Sequence, residues 1–145
     1  MMRRRALVLT GAALAAVPWA PVRALPAEVA AKIREVTGGA ALRPGRVKLD
    51  IPVRVENGNA VGLTVGVDGP LAPGERVLSL HVFAEGNPLP NVLHAYFGPA
   101  AGPPKLATRI RLATSQTVVA VAHLADGTFW TESVDLFVTL AACLE

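Results

Sequence analysis

The sequence predicts a mainly β protein, an antiparallel β-sandwich of about seven strands that follows one short helix. Two observations lead to this fold class. From residue 46 onward the chain consists of short β-prone runs, and a turn-rich segment separates them about every ten residues. Before residue 40, apolar residues recur instead at helical spacing. Such a series of strands is typical of a sandwich that is immunoglobulin-like in its general plan.

The helix is predicted over residues 25–39. Val29 and Ile33 lie on one helical face, Pro26 suits the first turn, and Gly38 suits the C-terminal stop. The strands follow from runs of Val, Ile, Leu, Thr and aromatic residues, and Asp126-Gly127 predicts a tight hairpin between the last two. The predicted strands are 47–53, 60–67, 76–84, 91–97, 106–113, 117–125 and 128–140.

The composition suits one globular domain. The chain has 145 residues, of which 52% are hydrophobic and 17% are charged, and domains commonly contain roughly 100–150 residues. An intrinsically disordered protein is excluded, because disordered chains have too few apolar residues to form a core. The sequence contains no internal repeat and no shift in composition that would predict a second domain.

Residues 1–24 have the layout of a signal peptide that is cleaved after Ala24. Arginines at positions 3–5 precede an apolar stretch, and Val22-Arg23-Ala24 forms a small-residue cleavage site. A membrane anchor is the weaker alternative, because Pro18 and Pro21 interrupt a stretch that is shorter than the ~20 residues needed to span a bilayer. The paired arginines fit a twin-arginine export signal, and a general secretory leader fits equally well.

Removal of this leader changes the charge of the protein. The full chain has 14 Lys and Arg against 11 Asp and Glu, and four of the basic residues lie within residues 1–24. Ten basic residues then face eleven acidic ones, so the mature chain has a net charge near −1. The sequence therefore gives no argument for a nucleic-acid partner, and no membrane contact is expected after cleavage.

Motifs of enzymes and metal sites are not recognisable. His81, His94 and His123 each lie alone in a separate predicted strand, so a metal site would have to be assembled in space, and surface or partly buried histidines are the ordinary interpretation. A copper centre is set aside because both methionines lie in the leader. No serine lies in a nucleophile-elbow motif, and no phosphate-binding loop precedes a helix. We therefore expect no enzyme activity, no cofactor and no metal.

The single cysteine, Cys143, is the third residue from the end. It cannot form an internal disulfide, so it is either inert and buried, paired with another chain, or a working thiol. Alternate side chains of a strand point to opposite faces, and Val134 and Leu136 lie on the apolar face of the last predicted strand. If the strand continued, Cys143 would lie on the opposite, more polar face. Its side chain should therefore point away from the core, or lie beyond the sheet.

The stretches "HVFAEGNP" and "ATSQTVVAVA", within a similarity that extends from the helix to the last strand, make the chain resemble the SoxY family. Members of this family are the sulfur-carrier subunits of the periplasmic Sox system for thiosulfate oxidation. The resemblance implies a periplasmic heterodimer with a second β-sandwich subunit, SoxZ. It also implies that Cys143 binds the sulfur substrate covalently and meets SoxAX-, SoxB- and SoxCD-like enzymes. The implied organisation is a leader (1–24), a sandwich domain (25–140) and a C-terminal arm (141–145).

The arm departs from the family pattern, in which the chain ends in Gly-Gly-Cys-Gly-Gly. Here Ala141, Ala142, Leu144 and Glu145 take the places of the glycines. Alanine restricts the backbone, leucine adds bulk, and glutamate adds a charge that repels anionic intermediates. Three explanations fit: a carrier with differently shaped partners, a diverged relative that uses its thiol otherwise, or two appended residues after Cys143. The alternative function is a periplasmic binding or redox-accessory module in which the cysteine is not a carrier.

Overall fold

The computed structural model describes residues 25–143 and confirms the mainly β fold with one short helix. The predicted leader, together with Leu144 and Glu145, lies outside the described residues. Within residues 25–143 no helix is both long enough and apolar enough to cross a membrane. The elements are α1 (Ala27–Thr37), β1 (Leu42–Pro44), β2 (Val47–Asp50), β3 (Arg54–Asn57), β4 (Val61–Val67), β5 (Val77–Ala84), β6 (Asn91–Tyr96), β7 (Lys105–Ile110), β8 (Gln116–Leu124) and β9 (Phe129–Leu140).

The strands form two sheets with the helix outside them. The larger sheet has the order β1-β9-β8-β5-β6, and β3 also pairs with β9; the smaller sheet has the order β2-β4-β7. One apolar core lies between the sheets. A second, smaller core lies where Val29 and Ile33 of α1 pack against Phe83, Val119 and Phe129 on the other face of the larger sheet. The described chain therefore has three layers.

This arrangement explains why β5 and β8 are nearly continuous apolar runs. In β8, Val118 and Ala120 point into the core between the sheets, whereas Val119 and Val121 point into the core under α1. Because both faces of the strand are covered, neither set of alternating positions is exposed to solvent, where polar residues would be favoured. A strand that is apolar on both faces therefore marks the centre of the larger sheet.

The helix ends where the sequence predicts. Pro26 occupies the N-cap position, and Gly38 follows the last turn with φ +62°, where its N–H donates to the carbonyl oxygen of Arg34 at 2.8 Å. A left-handed C-cap of this kind favours glycine because other residues have a Cβ that clashes. The buried residues Val29 and Ile33 then lie on the face that contacts the sheet.

The first half of the sandwich differs from the prediction. The strand expected over 47–53 ends at Asp50, and Pro52, which has no N–H, lies in the break that follows. The chain then changes sheets, since β3 pairs with β9 instead of β4. Both β1 and β3 run parallel to β9, so the larger sheet is mixed and the described chain has nine strands where about seven were expected.

The last hairpin is longer than the dipeptide Asp126-Gly127 suggests. Four residues, 125–128, connect β8 to β9, and Gly127 adopts φ +83°. The Asp126 carboxylate accepts hydrogen bonds from the backbone N–H of Thr128 at 2.9 Å and from its hydroxyl. The aspartate therefore acts as the turn residue that the sequence indicates, within a wider loop.

Candidate functional site

Cys143 lies three residues beyond the end of β9, and its thiol is free and exposed. This agrees with the sequence expectation that the residue lies beyond the sheet. Residues 141–143 form no regular structure, yet they do not extend freely into solvent. Ala142, directly before the cysteine, is only 9% exposed. The chain is thus held against the domain next to its reactive residue.

Backbone hydrogen bonds hold this segment. The N–H of Gly58 donates to the carbonyl oxygen of Leu140 at 2.7 Å, and the N–H of Leu112 donates to the carbonyl oxygen of Gly58 at 2.9 Å. The N–H of Ala142 in turn donates to the carbonyl oxygen of Leu112 at 3.0 Å. We call this set, Gly58, Asn59 and Leu112 with residues 140–143 bound to them, the C-terminal clasp.

Gly58 is at the centre of the clasp because the backbones of Leu112, Leu140 and Ala142 approach it closely. A Cβ at this position would lie 2.4 Å from the carbonyl oxygen of Leu112 and 3.0 Å from the backbone nitrogen of Ala142. No ordinary Cβ contact is that short, so a side chain here would push the segments apart. The run "ENGN", which extends from the end of β3 into the turn before β4, therefore places a glycine where three backbone segments meet.

Asn59 connects the clasp to the cysteine itself. Its side-chain oxygen Oδ1 accepts a hydrogen bond from the N–H of Cys143 at 3.3 Å. The Asn59 side chain is oriented by Asn57, whose Oδ1 accepts from the Asn59 backbone N–H at 3.0 Å and from Nδ2 at 2.9 Å. The clasp thus fixes the backbone of Cys143 and leaves the thiol outside, where a reagent or a partner can reach it.

Three exposed apolar side chains lie on β9 and just before β3, in or near the clasp. Phe137 is 66% exposed, Val53 is 53% exposed and Leu140 is 58% exposed. The first two are neighbours, because the N–H of Phe137 donates to the carbonyl oxygen of Val53 at 2.8 Å. Phe137 and Leu140 are three positions apart in β9, and Val53 precedes Arg54, the strand partner of Phe137, so the three side chains do not share one face.

The structure also brings together the three histidines that the sequence keeps apart. His81 of β5 is directly opposite His94 of β6, and Ser79 of β5 is opposite His123 of β8. All of them line one pocket of about 360 Å³, whose other lining residues are Glu35, Val36, Asn91 and Tyr96. The cluster depends on the pairing register of three strands, β5, β6 and β8, which the sequence alone does not give.

His81 and Ser79 are the most buried members of this pocket. The Ser79 hydroxyl lies 3.0 Å from Nε2 of His81, and the His94 ring packs edge-on with 5.6 Å between the ring centroids. Burial lowers the pKa of His81, and the neighbouring His94 and His123 lower it further. In residues 25–143, no group of three or more His, Cys, Asp or Glu side chains is arranged to hold a metal ion.

Comparisons with known proteins point to one family. The family model described as sulfur oxidation protein SoxY matches residues 33–143. This match includes β1–β9 and ends at Cys143. No curated protein sequence matches the chain.

Several solved structures have a similar fold. A superoxide reductase (neelaredoxin) from Ignicoccus hospitalis is 18% identical with a TM-score of 0.55, over 65% of this chain and 80% of that one. A hypothetical protein from Pyrococcus horikoshii is 16% identical with a TM-score of 0.53, over 70% and 97%. A superoxide reductase from Nanoarchaeum equitans is 13% identical with a TM-score of 0.54, over 66% and 100%. At these identities the likeness shows the fold alone.

Proposed function

The chain belongs to the SoxY family of sulfur-oxidation carriers, and from that premise we propose that Cys143 binds sulfur intermediates covalently in the periplasm and presents them to partner enzymes. Proteins of this family are carriers and not enzymes, so Cys143 is an attachment point. One observation supports the assignment most: the matched region ends on the single cysteine, whose thiol is free and exposed beyond the last strand.

The proposed chemistry needs only this thiol from the carrier. In the loading step the Cys143 sulfur forms a bond to the outer sulfur of thiosulfate, the thiol proton goes to solvent, and two electrons pass to a haem-containing SoxAX-type partner. A SoxB-type hydrolase then adds water, which releases sulfate and two protons and leaves a persulfide anion on Cys143. In complete systems a SoxCD-type dehydrogenase accepts the electrons of the outer sulfur, while water supplies the oxygen atoms and releases protons, and a second hydrolysis follows.

The clasp supports a presenting role for the end of β9. It holds Ala142 by a backbone hydrogen bond and Cys143 by one bond to Asn59, while the thiol faces solvent. Only a few hydrogen bonds, each contributing about 0.5–1.5 kcal/mol, would have to open for residues 141–143 to extend into a partner. Three extended residues reach on the order of 10 Å. The same segment can therefore be held between reactions and released to a deep active site.

A heterodimer with a SoxZ-like subunit is part of this proposal. Val53, Phe137 and Leu140 are exposed apolar side chains, and their burial against a SoxZ-like subunit would favour such a contact. Co-expression followed by light scattering tests it, with a one-to-one complex as the expected result. A monomer that does not bind a SoxZ-like protein from the same source would contradict it.

Export through the predicted leader completes the proposal. Mature protein should begin at Leu25, and replacing both Arg4 and Arg5 with lysine should block export by a twin-arginine route. N-terminal sequencing of protein from cell fractions measures both. Retention of unprocessed protein in the cytoplasm would contradict the location, whereas unchanged export of the double variant would exclude only this route.

The carrier role is tested by sulfur loading in a reconstituted system. Wild type, Cys143→Ser and a variant with glycine at positions 141, 142, 144 and 145 are incubated at equal folded concentration with thiosulfate and a SoxAX-type enzyme. Intact mass spectrometry follows the adduct. We expect loading of wild type and none of Cys143→Ser, and faster loading of the glycine variant if the enzyme is adapted to a glycine tail.

The same experiment separates the carrier from the alternative function. Adducts that persist in Cys143→Ser would exclude Cys143 as the attachment point. An unmodified Cys143 in wild type, under conditions that load a SoxY protein with a glycine tail, would favour a binding or redox-accessory module instead.

A further inference from the structure

The pocket formed by β5, β6 and β8 has no part in the carrier chemistry. It is lined by His81, His94 and His123, whereas the C-terminal clasp is built from the turn before β4, from Leu112 and from the end of the chain. His81 and His94 are directly paired across two neighbouring strands, so both imidazoles extend from the same face of the sheet. A function for this pocket must therefore be independent of Cys143.

Two buried polar atoms in the pocket have no hydrogen-bond partner within the described chain: Nδ1 of His81 and Oδ1 of Asn91. His81 is only 3% exposed, so bulk water does not compensate. An unsatisfied buried polar atom costs about 1–3 kcal/mol, and native proteins keep few of them. Two such atoms in one pocket point to a bound group that satisfies them.

The lining residues indicate the charge of that group. Asn91 Oδ1 can only accept, neutral imidazoles offer a lone pair, and Glu35, an acidic residue, also lines the pocket. No lysine or arginine lines the pocket; the nearby Lys32 ammonium is paired with Glu35 at 3.3 Å on the exposed helix surface. An anion would find no fixed positive charge here, whereas a cation or Lewis acid would find several electron-pair donors.

We propose that His81 and His94 bind a divalent transition-metal ion such as Zn²⁺, with Asn91 or water completing its coordination. Imidazole nitrogen is the commonest protein ligand for such ions. The 5.6 Å between the ring centroids leaves room for one ion bound to a nitrogen of each ring at ~2.0–2.1 Å. Since no set of three or more His, Cys, Asp or Glu ligands exists in residues 25–143, water or a ligand from a partner would have to fill the remaining coordination positions.

Zinc titration of the mature protein tests this site. All measurements use the Cys143→Ser background, because the thiol is itself a zinc ligand and its removal separates this test from the carrier role. Isothermal titration calorimetry with Zn²⁺ should give one site per chain. His94→Gln should weaken zinc binding by more than about tenfold. Removal of a residue that only orients a metal ligand already lowers metal affinity by about 10–100-fold, and His94 is itself a proposed ligand. Nuclear magnetic resonance should show zinc-dependent shifts of the His81 and His94 ring signals.

The chain offers a matched control in the third histidine. The His123 ring stacks on Phe129 with 4.2 Å between centroids, so we expect His123→Gln to retain zinc binding. His94 and His123 are both more exposed than His81, and both variants should stay folded by circular dichroism. Absence of zinc binding in the Cys143→Ser protein, or binding that survives His94→Gln, would overturn the proposal. Equal losses in His94→Gln and His123→Gln would overturn the assignment to the His81–His94 pair.

Discussion

The two ends of β9 are covered in the same way and held in different ways. A short parallel strand pairs with each end, β1 with Phe129–Thr131 and β3 with Phe137–Leu140. At the first end, side chains secure the strand: Phe129 is buried under α1, and the Trp130 ring lies beneath the guanidinium carbon of Arg46 at 5.4 Å. At the second end Phe137 and Leu140 are exposed, and backbone hydrogen bonds secure the chain.

One strand can therefore both stabilise the fold and end in a segment that is held only weakly. Burial of large side chains is hard to reverse, whereas a few hydrogen bonds at the surface open at low cost. The first end therefore anchors the strand, and the second can release residues 141–143 without disturbing the core. Substitutions at the two ends should separate these roles.

The largest effect is expected from Phe129→Ala. Phe129 is 6% exposed and packs in the core under α1, so its removal leaves a cavity and should lower the free energy of unfolding by about 3–5 kcal/mol. Phe137→Ala is the matched control on the same strand, and as an exposed position it should change stability by less than about 0.5 kcal/mol. Urea denaturation of both variants measures the difference, and similar losses would contradict the comparison.

A smaller effect is expected from Gly58→Ala in the clasp. The added Cβ would meet the carbonyl oxygen of Leu112 at 2.4 Å, and overpacking of this kind costs about 1–3 kcal/mol. We expect the tail to separate from the domain, which hydrogen exchange would show as faster exchange of the Ala142 amide. Gly62→Ala is the control, because nothing lies within 4 Å of a Cβ there. Unchanged exchange in Gly58→Ala would mean that the clasp does not depend on close approach.

A local effect of about one hydrogen bond is expected from Asn59→Ala. Loss of the acceptor for the Cys143 N–H should weaken holding of the tail by about 0.5–1.5 kcal/mol, and global stability should hardly change. Thiol labelling by a bulky reagent and hydrogen exchange at Cys143 report the change. Asn59→Asp keeps the acceptor oxygen, so it should retain more amide protection than Asn59→Ala. Equal protection in the two variants would show that this bond does not hold the cysteine.

The smallest effect concerns how the stability contributed by the Arg46–Glu75 pair, near the anchored end of β9, depends on pH. The Arg46 guanidinium, hydrogen-bonded to Glu75 at 2.9 Å, lowers the pKa of Glu75 to about 2, and the N–H of Ala72 contributes. A carboxylate with a lowered folded-state pKa stabilises the fold above its unfolded value near 4.5, and this is lost as pH falls through about 2. Glu75→Gln should therefore be less stable than wild type at pH 7, and the gap should close near pH 2. A gap that persists at low pH would point to lost packing instead of charge.

Sequence patterns predicted most of the sandwich because local signals encode most of its strands. The apolar runs of β5 and β8 and the left-handed cap at Gly38 follow from the residues themselves. The short strands β1 and β3 did not, because three or four residues carry little periodicity and their partner, β9, is distant in sequence. For the same reason, the sequence did not predict that the chain passes from the smaller sheet to the larger one after Pro52.

The candidate site was predicted in part. The sequence predicted that Cys143 would point away from the core or lie beyond the sheet, and the structure has it exposed beyond the last strand. The clasp did not, because Gly58 and Asn59 meet the tail only in the folded state and appeared in the sequence as an ordinary turn. The histidine pocket also needed the register between strands, since three isolated histidines in sequence show no spacing for a shared site.

The most direct test of the carrier account is to locate the sulfur adduct on protein isolated from cells that are oxidising thiosulfate. Tandem mass spectrometry of the C-terminal peptide compares wild type with Cys143→Ser, and circular dichroism confirms that both are folded. We expect a thiosulfonate or persulfide on Cys143 in wild type and no adduct in the variant. A C-terminal peptide that carries only the free thiol while the cells consume thiosulfate would contradict it.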